Sequence, residues 1–138
     1  MFLADECIQK LQSDGVTFER NSDGTLRIPA LCPDVGDLII AFDDDEITVY
    51  LGRFTHCHFT PGVCGNAEDP DQVHEAVDTA VEFVSSVMAD KFVIWRYPNG
   101  GGGCYRLEAE RDPMADTPLG SNAQRYLWSG PYPLGGAA

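Results

Sequence analysis

Two histidines flank a cysteine in the segment His56-Cys57-His58, and another cysteine, Cys64, follows six residues after His58. Imidazole nitrogens and thiolate sulfurs are ligands that suit zinc or copper. Alternate side chains of a β-strand point to the same face, so His56 and His58 would lie together while Cys57 points away. The segment therefore predicts His56, His58 and Cys64 as candidate metal ligands.

A third protein ligand for a histidine pair would come from elsewhere in the fold, and His74 and Cys104 are two candidates. The spacing matches no familiar zinc finger. The alternative interpretation is a surface histidine pair beside a buried Cys57 that packs as a small apolar side chain. We therefore expect no cofactor, with zinc as the alternative. The cysteines are odd in number and include no Cys-x-x-Cys pair, which favours reduced thiols: Cys7, Cys32, Cys57, Cys64 and Cys104.

Four consecutive acids, Asp43–Glu46, lie between two runs of apolar residues. A calcium loop alternates its oxygen ligands and needs a turn glycine, whereas consecutive acids in a tight hairpin point in different directions. The apolar run Leu38–Phe42 and the alternating run Ile47–Leu51 predict instead that the four acids form the tip of a β-hairpin. This tip is either a solvated turn or a docking point for a basic partner, to which Asp34 and Asp37 add.

The chain of 138 residues carries 22 acidic and 9 basic residues, a formal net charge of −13. Residues 28–90 hold thirteen of the acids and one base, whereas residues 91–138 are slightly basic. A negative field repels phosphate backbones and anionic lipid, so neither nucleic acid nor a membrane surface is an expected partner. The charge favours a basic protein as partner. The candidate residues for contacting it are the central acids Asp34, Asp37, Asp43, Asp44, Asp45 and Glu46.

The spacing of apolar residues predicts two helices separated by strands. Residues 2–14 place apolar side chains on one helical face, and Gly15 follows as a C-cap. A longer helix over 69–89 begins with Asp69 as N-cap and Pro70 as its first residue, and its valines recur at spacings of three and four. Strand-like runs separated by turn residues cover 16–20, 25–28, 38–42, 47–51, 54–59, 92–97, 104–108 and 125–129.

Strands joined by hairpins pair antiparallel, so the order helix, strands, helix, strands is typical of an α+β fold. We predict a single α+β domain over residues 1–112. In it, a curved and mostly antiparallel sheet of about five or six strands packs on the helix 69–89, beside the short N-terminal helix. Residues 113–138 are rich in proline and glycine and are expected to form an extension with one docked strand over 125–129. Gly100–Gly103 is expected to be a hairpin loop, because no helix follows it as a phosphate-binding loop requires.

The size, the acidity and the element order are similar to those of secretion chaperones and of immunity proteins that neutralise secreted toxins. This resemblance implies a small non-enzymatic protein that holds a basic protein partner. The alternative is a metal- or thiol-dependent enzyme built on His56, His58 and nearby cysteines, although no catalytic constellation has a specific spacing. Asp5 and Glu6 stand where an export signal would be basic and then apolar, so we expect a cytoplasmic protein, a monomer or a homodimer.

Overall fold

The structure is a computed structural model that describes residues 2–61, 70–111 and 122–132. Within these residues the elements follow one another as α1 (Phe2–Ser13), β1 (Glu19–Arg20), β2 (Leu26–Ile28), β3 (Leu38–Phe42), β4 (Ile47–Leu51), β5 (Thr55–Phe59), α2 (Pro70–Met88), β6 (Phe92–Arg96), β7 (Gly102–Arg106), a 3-10 helix (Leu107–Arg111), β8 (Gln124–Leu127) and β9 (Gly130–Pro131). The α+β class predicted from the sequence is confirmed, as are its two helices.

Helix α2 agrees with the predicted helix 69–89 to within one residue at each end. Proline is well placed as the first helical residue Pro70, since its missing N–H would have no partner there. The acid Asp71 in the first turn faces the positive end of the helix dipole. The predicted N-cap, Asp69, lies outside the described residues. One apolar face of the helix is buried: Val73, Ala76, Val77, Ala80, Val81, Phe83, Val84 and Val87.

The strands belong to two antiparallel sheets. The first sheet has the order β1-β2-β3-β4-β5, so each strand pairs with its neighbour in sequence, and the second has the order β7-β6-β8-β9. In the first sheet Ile40 pairs with Val49, and both side chains are buried. On the opposite face Tyr50 of β4 pairs with His56 of β5, and both of these side chains are exposed.

We expected one sheet of about five or six strands, whereas the structure has two sheets, of five and four strands. Hairpins account for the first sheet, but after β5 the chain crosses through α2 and starts a second sheet at β6. The edge strands β5 and β7 are in contact, and a Cβ atom added to Gly102 would lie 2.3 Å from the Phe54 carbonyl oxygen. Within the described part of the chain, no ladder of paired main-chain hydrogen bonds joins these two edges. The two sheets therefore meet edge to edge through close packing.

A single hydrophobic core is shared by both helices and both sheets. From α1 it takes Leu3, Cys7 and Leu11, and Ile8 on the same face is partly buried against it. The predicted strand 125–129 corresponds to β8, which pairs with β6; Tyr126 of this strand and Trp128 of the turn after it are buried in the core. The proposed domain boundary after residue 112 stays a prediction. Among the described helices, none combines the length and apolar character needed to cross a membrane.

Candidate partner-binding site at the acidic hairpin tip

The four acids Asp43–Glu46 form the tip of the hairpin between β3 and β4. The last strand pair before the tip is Phe42 with Ile47, and the Asp43 N–H donates a 2.9 Å hydrogen bond to the Glu46 carbonyl oxygen. The flanking strands are held by their apolar face, since Ile40 and Ile47 are buried in the core. The hairpin thus projects the acids, which we call the acidic tip, away from the core.

The members of the acidic tip differ in their surroundings. Asp43, Asp44 and Asp45 are exposed, and no basic side chain of the described residues forms an ion pair with any of their carboxylates. Glu46 is half-buried, and its Oε1 lies 2.6 Å from His58 Nδ1. The Thr48 hydroxyl lies 3.2 Å from both of these atoms. Three of the four carboxylates are therefore available to a partner, while the fourth is engaged inside the molecule.

Asp34 and Asp37 lie at the other end of the first sheet. They belong to the loop between β2 and β3, beside the strand pair Leu38 with Leu51. The length of β3 separates this end from the acidic tip by about 14 Å at the usual rise per strand residue. The structure therefore divides the six predicted partner-binding acids into two groups.

Asp37 is also engaged internally. Its Oδ1 accepts a 2.9 Å hydrogen bond from the Ala30 N–H, and its Oδ2 accepts one of 2.9 Å from Arg27 Nη1. The Ala30 N–H and then the Arg27 guanidinium lower the pKa of the Asp37 carboxyl, and they outweigh a small opposing effect of burial. Arg27 also pairs with Glu19 on the neighbouring strand. Asp37 thus joins the loop to β2, whereas Asp34 is exposed.

His56 and His58 share the exposed face of β5, as their spacing predicted, and their ring centroids are 4.8 Å apart. Cys57 packs against the core on the opposite face. Cys64 lies outside the described residues, and His74 is paired elsewhere, with its Nδ1 2.6 Å from Glu6 Oε2. Within residues 2–61, 70–111 and 122–132 no three His, Cys, Asp or Glu side chains are grouped so that they could hold a metal ion.

A groove of about 600 Å³ lies between the end of β5 and the first half of α2. His58, whose ring contacts Glu46 of the acidic tip, lines the strand side of this groove. The helix side carries Gln72 and Glu75. The Gln72 Oε1 atom is buried and accepts no hydrogen bond from the described residues. The groove therefore offers the negative carboxylate of Glu75 next to the tip.

Sequence reasoning did not connect the helix residues Glu75 and Thr79 with the acidic tip. The sequence does show polar residues at positions 75 and 79, on one face of the predicted helix. The neighbouring residues in sequence do not indicate that this face lies beside the end of β5. Only the packing of α2 against β4 and β5 brings this face beside His58.

Cys57 and Cys104 are brought together although 46 residues separate them in sequence. They lie on the contacting strands β5 and β7, and their thiols are close enough to interact with each other. The interaction with the Cys104 thiol lowers the pKa of Cys57 to about 7, burial opposes this shift, and the nearby His58 adds to it. The same interaction and burial raise the pKa of Cys104. Buried Cys7 differs, because burial alone raises its pKa to about 12.

The acidic tip and the groove present negative charge and hydrogen-bond acceptors, which are the groups that recognise ammonium and guanidinium ions. These side chains are therefore suited to binding cations. No protein-family model, curated protein or solved structure matches this chain.

Proposed function

We propose that this protein is a small acidic, non-enzymatic binding protein that holds a basic protein partner at its acidic tip. The observation that carries the proposal is that Asp43, Asp44 and Asp45 are adjacent, exposed and without an ion-pair partner among the described residues. The proposed contact set is narrower than the six acids expected from the sequence, because Asp34 and Asp37 lie at the other end of the first sheet and Glu46 is paired with His58.

The physical basis is mutual repulsion within the tip. Neighbouring carboxylates in a short turn raise one another's electrostatic energy, and a partner that brings lysine or arginine side chains relieves this repulsion. Complementary charge also steers the two proteins together and disfavours acidic competitors. An acidic turn on a rigid hairpin therefore favours both fast association and selection of basic partners.

The neighbouring groove supports the same kind of ligand. Glu75 supplies a negative charge on its helix side. Lysine and arginine carry only donors in their charged heads, so a basic chain lying along the groove can pair with this carboxylate. The tip then contacts one part of the partner and the groove another.

The role proposed for such a protein is that of an immunity protein or a secretion chaperone, acting in the cytoplasm as a monomer or homodimer. Both roles require a folded acidic protein that covers a basic region of another protein. The alternative of a metal- or thiol-dependent enzyme rests on the histidines and cysteines around β5, and among the described residues these form no metal-binding group.

The test uses a fluorescent lysine- and arginine-rich peptide as the probe and measures its binding by anisotropy. We expect the triple change Asp43→Asn, Asp44→Asn and Asp45→Asn to weaken binding about tenfold at low salt, which is roughly 0.5 kcal/mol for each exposed charge pair. Binding by the unchanged protein should weaken as salt rises, because counterions screen exposed charges.

The matched control removes three exposed acids away from the tip: Asp34→Asn, Asp78→Asn and Glu108→Gln. This variant has the same net charge as the tip variant, so we expect it to bind the probe within about twofold of the unchanged protein. Equal weakening in both variants would show that only net charge matters, and salt-independent binding would contradict the electrostatic contact. Capture from the native host with the same two variants then identifies the natural partner.

A further inference from the structure

We propose that Cys57 and Cys104 are a reactive thiol pair that closes into a reversible disulfide by exchange with a small soluble disulfide such as glutathione disulfide. The pair joins the facing edges of the two sheets, so its oxidation adds a covalent link at the junction between them. The proposal is independent of the basic-partner proposal, since neither thiol belongs to the acidic tip or lines the groove.

The geometry of the sheet junction carries this inference. Strands β5 and β7 are neighbours, and Gly102 lies so close to Phe54 that a side chain at that position would clash with the Phe54 carbonyl oxygen. Cys57 and Cys104 lie on these two contacting strands and pack against the same core, where their thiols are close enough to interact with each other. A disulfide needs Cα atoms within about 7 Å, a separation that residues on two contacting strands can have.

Their surroundings allow a reagent to reach the thiols. Both residues are half-buried, so each packs against the core while part of it stays in reach of solvent. Cys7 and Cys32, by contrast, are buried with exposures of 1% and 7%. A small reagent therefore reaches Cys57 and Cys104 before it reaches these two.

The exchange proceeds in two balanced steps. Cys57 loses its proton to water, and the thiolate attacks one sulfur of the small disulfide; its S–S bond breaks, and one thiolate leaves with the electron pair and takes up a proton. Cys104 then loses its proton, and its thiolate attacks the Cys57 sulfur of the mixed disulfide, which releases the second small thiol. Two protein thiols are oxidised to one disulfide, and one small disulfide is reduced to two thiols.

The link should stabilise the fold because it crosses a junction that lacks a hydrogen-bonded ladder among the described residues. It closes a loop from residue 57 to residue 104, which restricts the unfolded chain. For a loop of this length in a protein of this size, we expect oxidation to raise the Tm by about 10 °C.

The experiment treats the full-length protein with glutathione disulfide and maps its peptides by mass spectrometry without reduction. We expect the protein mass to fall by about 2 Da, the loss of two hydrogens, together with a cross-linked peptide that contains Cys57 and Cys104. Dithiothreitol should reverse both changes and the rise in Tm.

Single variants sharpen the assignment. Cys57→Ser and Cys104→Ser should each abolish the cross-link and leave the remaining thiol as a glutathione adduct, whereas Cys7→Ser and Cys64→Ser should keep it. A cross-link from Cys57 to another cysteine, or glutathione adducts on both Cys57 and Cys104 without a cross-link, would overturn the proposal. Peptide mapping of the unchanged protein by itself shows whether Cys57 is cross-linked to Cys104. The proposal can therefore be tested even if one of the variants folds poorly.

Discussion

The two ends of the first sheet both carry acidic residues, but they are built in opposite ways. At the tip end, Asp43, Asp44 and Asp45 extend into solvent and make no ion pair with the described residues. At the loop end, Asp37 accepts hydrogen bonds from Arg27 and from the main chain at Ala30. The same residue type is therefore left in solvent at one end of the sheet and bound into the fold at the other.

The loop end is also the more closely packed of the two. The Gly52 N–H donates a 3.0 Å hydrogen bond to the Asp37 carbonyl oxygen, and Gly52 lies against Val35 and Gly36. Val35 is buried in the core and holds the loop to the sheet. Whether an acid stabilises the fold therefore depends on the hydrogen-bond donors around it. The local density of acids in the sequence does not by itself identify a binding surface. Small substitutions at the loop end should accordingly lower the free energy of unfolding, whereas substitutions at the tip should have little effect on it.

The largest expected effect is that of Gly52→Ala at the loop end. An added Cβ would lie 1.7 Å from the Val35 carbonyl oxygen, and the φ of 56° is in the left-handed region that favours glycine. We expect a loss of at least about 3 kcal/mol in the free energy of unfolding, since main chain must move to relieve the clash. Urea unfolding followed by circular dichroism measures it.

Gly24→Ala is the matched control for this change. Gly24 also has a positive φ, 90°, but a Cβ added there would meet no atom within 4 Å. We expect a cost of about 1 kcal/mol from the backbone conformation alone. Equal losses for the two variants would show that the contact between Gly52 and Val35 is not what stabilises the loop end.

The sequence predicted the parts of this comparison that depend on neighbouring residues. The acidic tip followed from two apolar runs on either side of four acids, and helix α2 from valines at helical spacing. The internal role of Asp37 was not predictable, because its partner Arg27 lies on another strand. The contact between Cys57 and Cys104 was hidden for the same reason, since it depends on which sheet edges meet after α2 crosses over.

A smaller effect is expected for Asp37→Asn, and it should depend on pH. Asparagine can still accept the Ala30 N–H bond but loses the charge that faces Arg27. The Asp37 side chain is 37% exposed, so solvent screening limits the expected loss at neutral pH to about 1 kcal/mol. Urea unfolding of the variant and the unchanged protein from pH 7 down to about pH 3 measures the difference.

The sign of the pH dependence follows from the lowered pKa of Asp37 in the folded protein. Its stabilising effect is complete above the unfolded pKa of about 3.9 and disappears as the pH falls through the lower folded pKa. The two proteins should therefore differ by a constant amount between about pH 7 and pH 5, and the difference should shrink as the pH falls below the unfolded pKa of about 3.9. Asp34→Asn, a change to an exposed acid in the same loop, should leave stability unchanged at every pH. A difference that persists undiminished at the lowest pH would mean that the carboxylate charge is not its source.

The smallest expected effect is at the tip, and it should have the opposite sign. Changing Asp43, Asp44 and Asp45 together to Asn removes adjacent like charges while keeping side chains that are favoured in turns. We expect the free energy of unfolding to rise by about 0.5 kcal/mol at roughly 20 mM salt, and the gain to vanish near 500 mM as screening suppresses the repulsion. The urea midpoints of the variant and the unchanged protein at these two salt concentrations check this. A loss above about 1 kcal/mol would instead assign these carboxylates to internal contacts, as at Asp37, and would remove the contrast between the two ends of the sheet. A gain at low salt would mean that the unbound protein carries a repulsion that a cationic partner can relieve, and this is the property that separates a docking surface from a structural one.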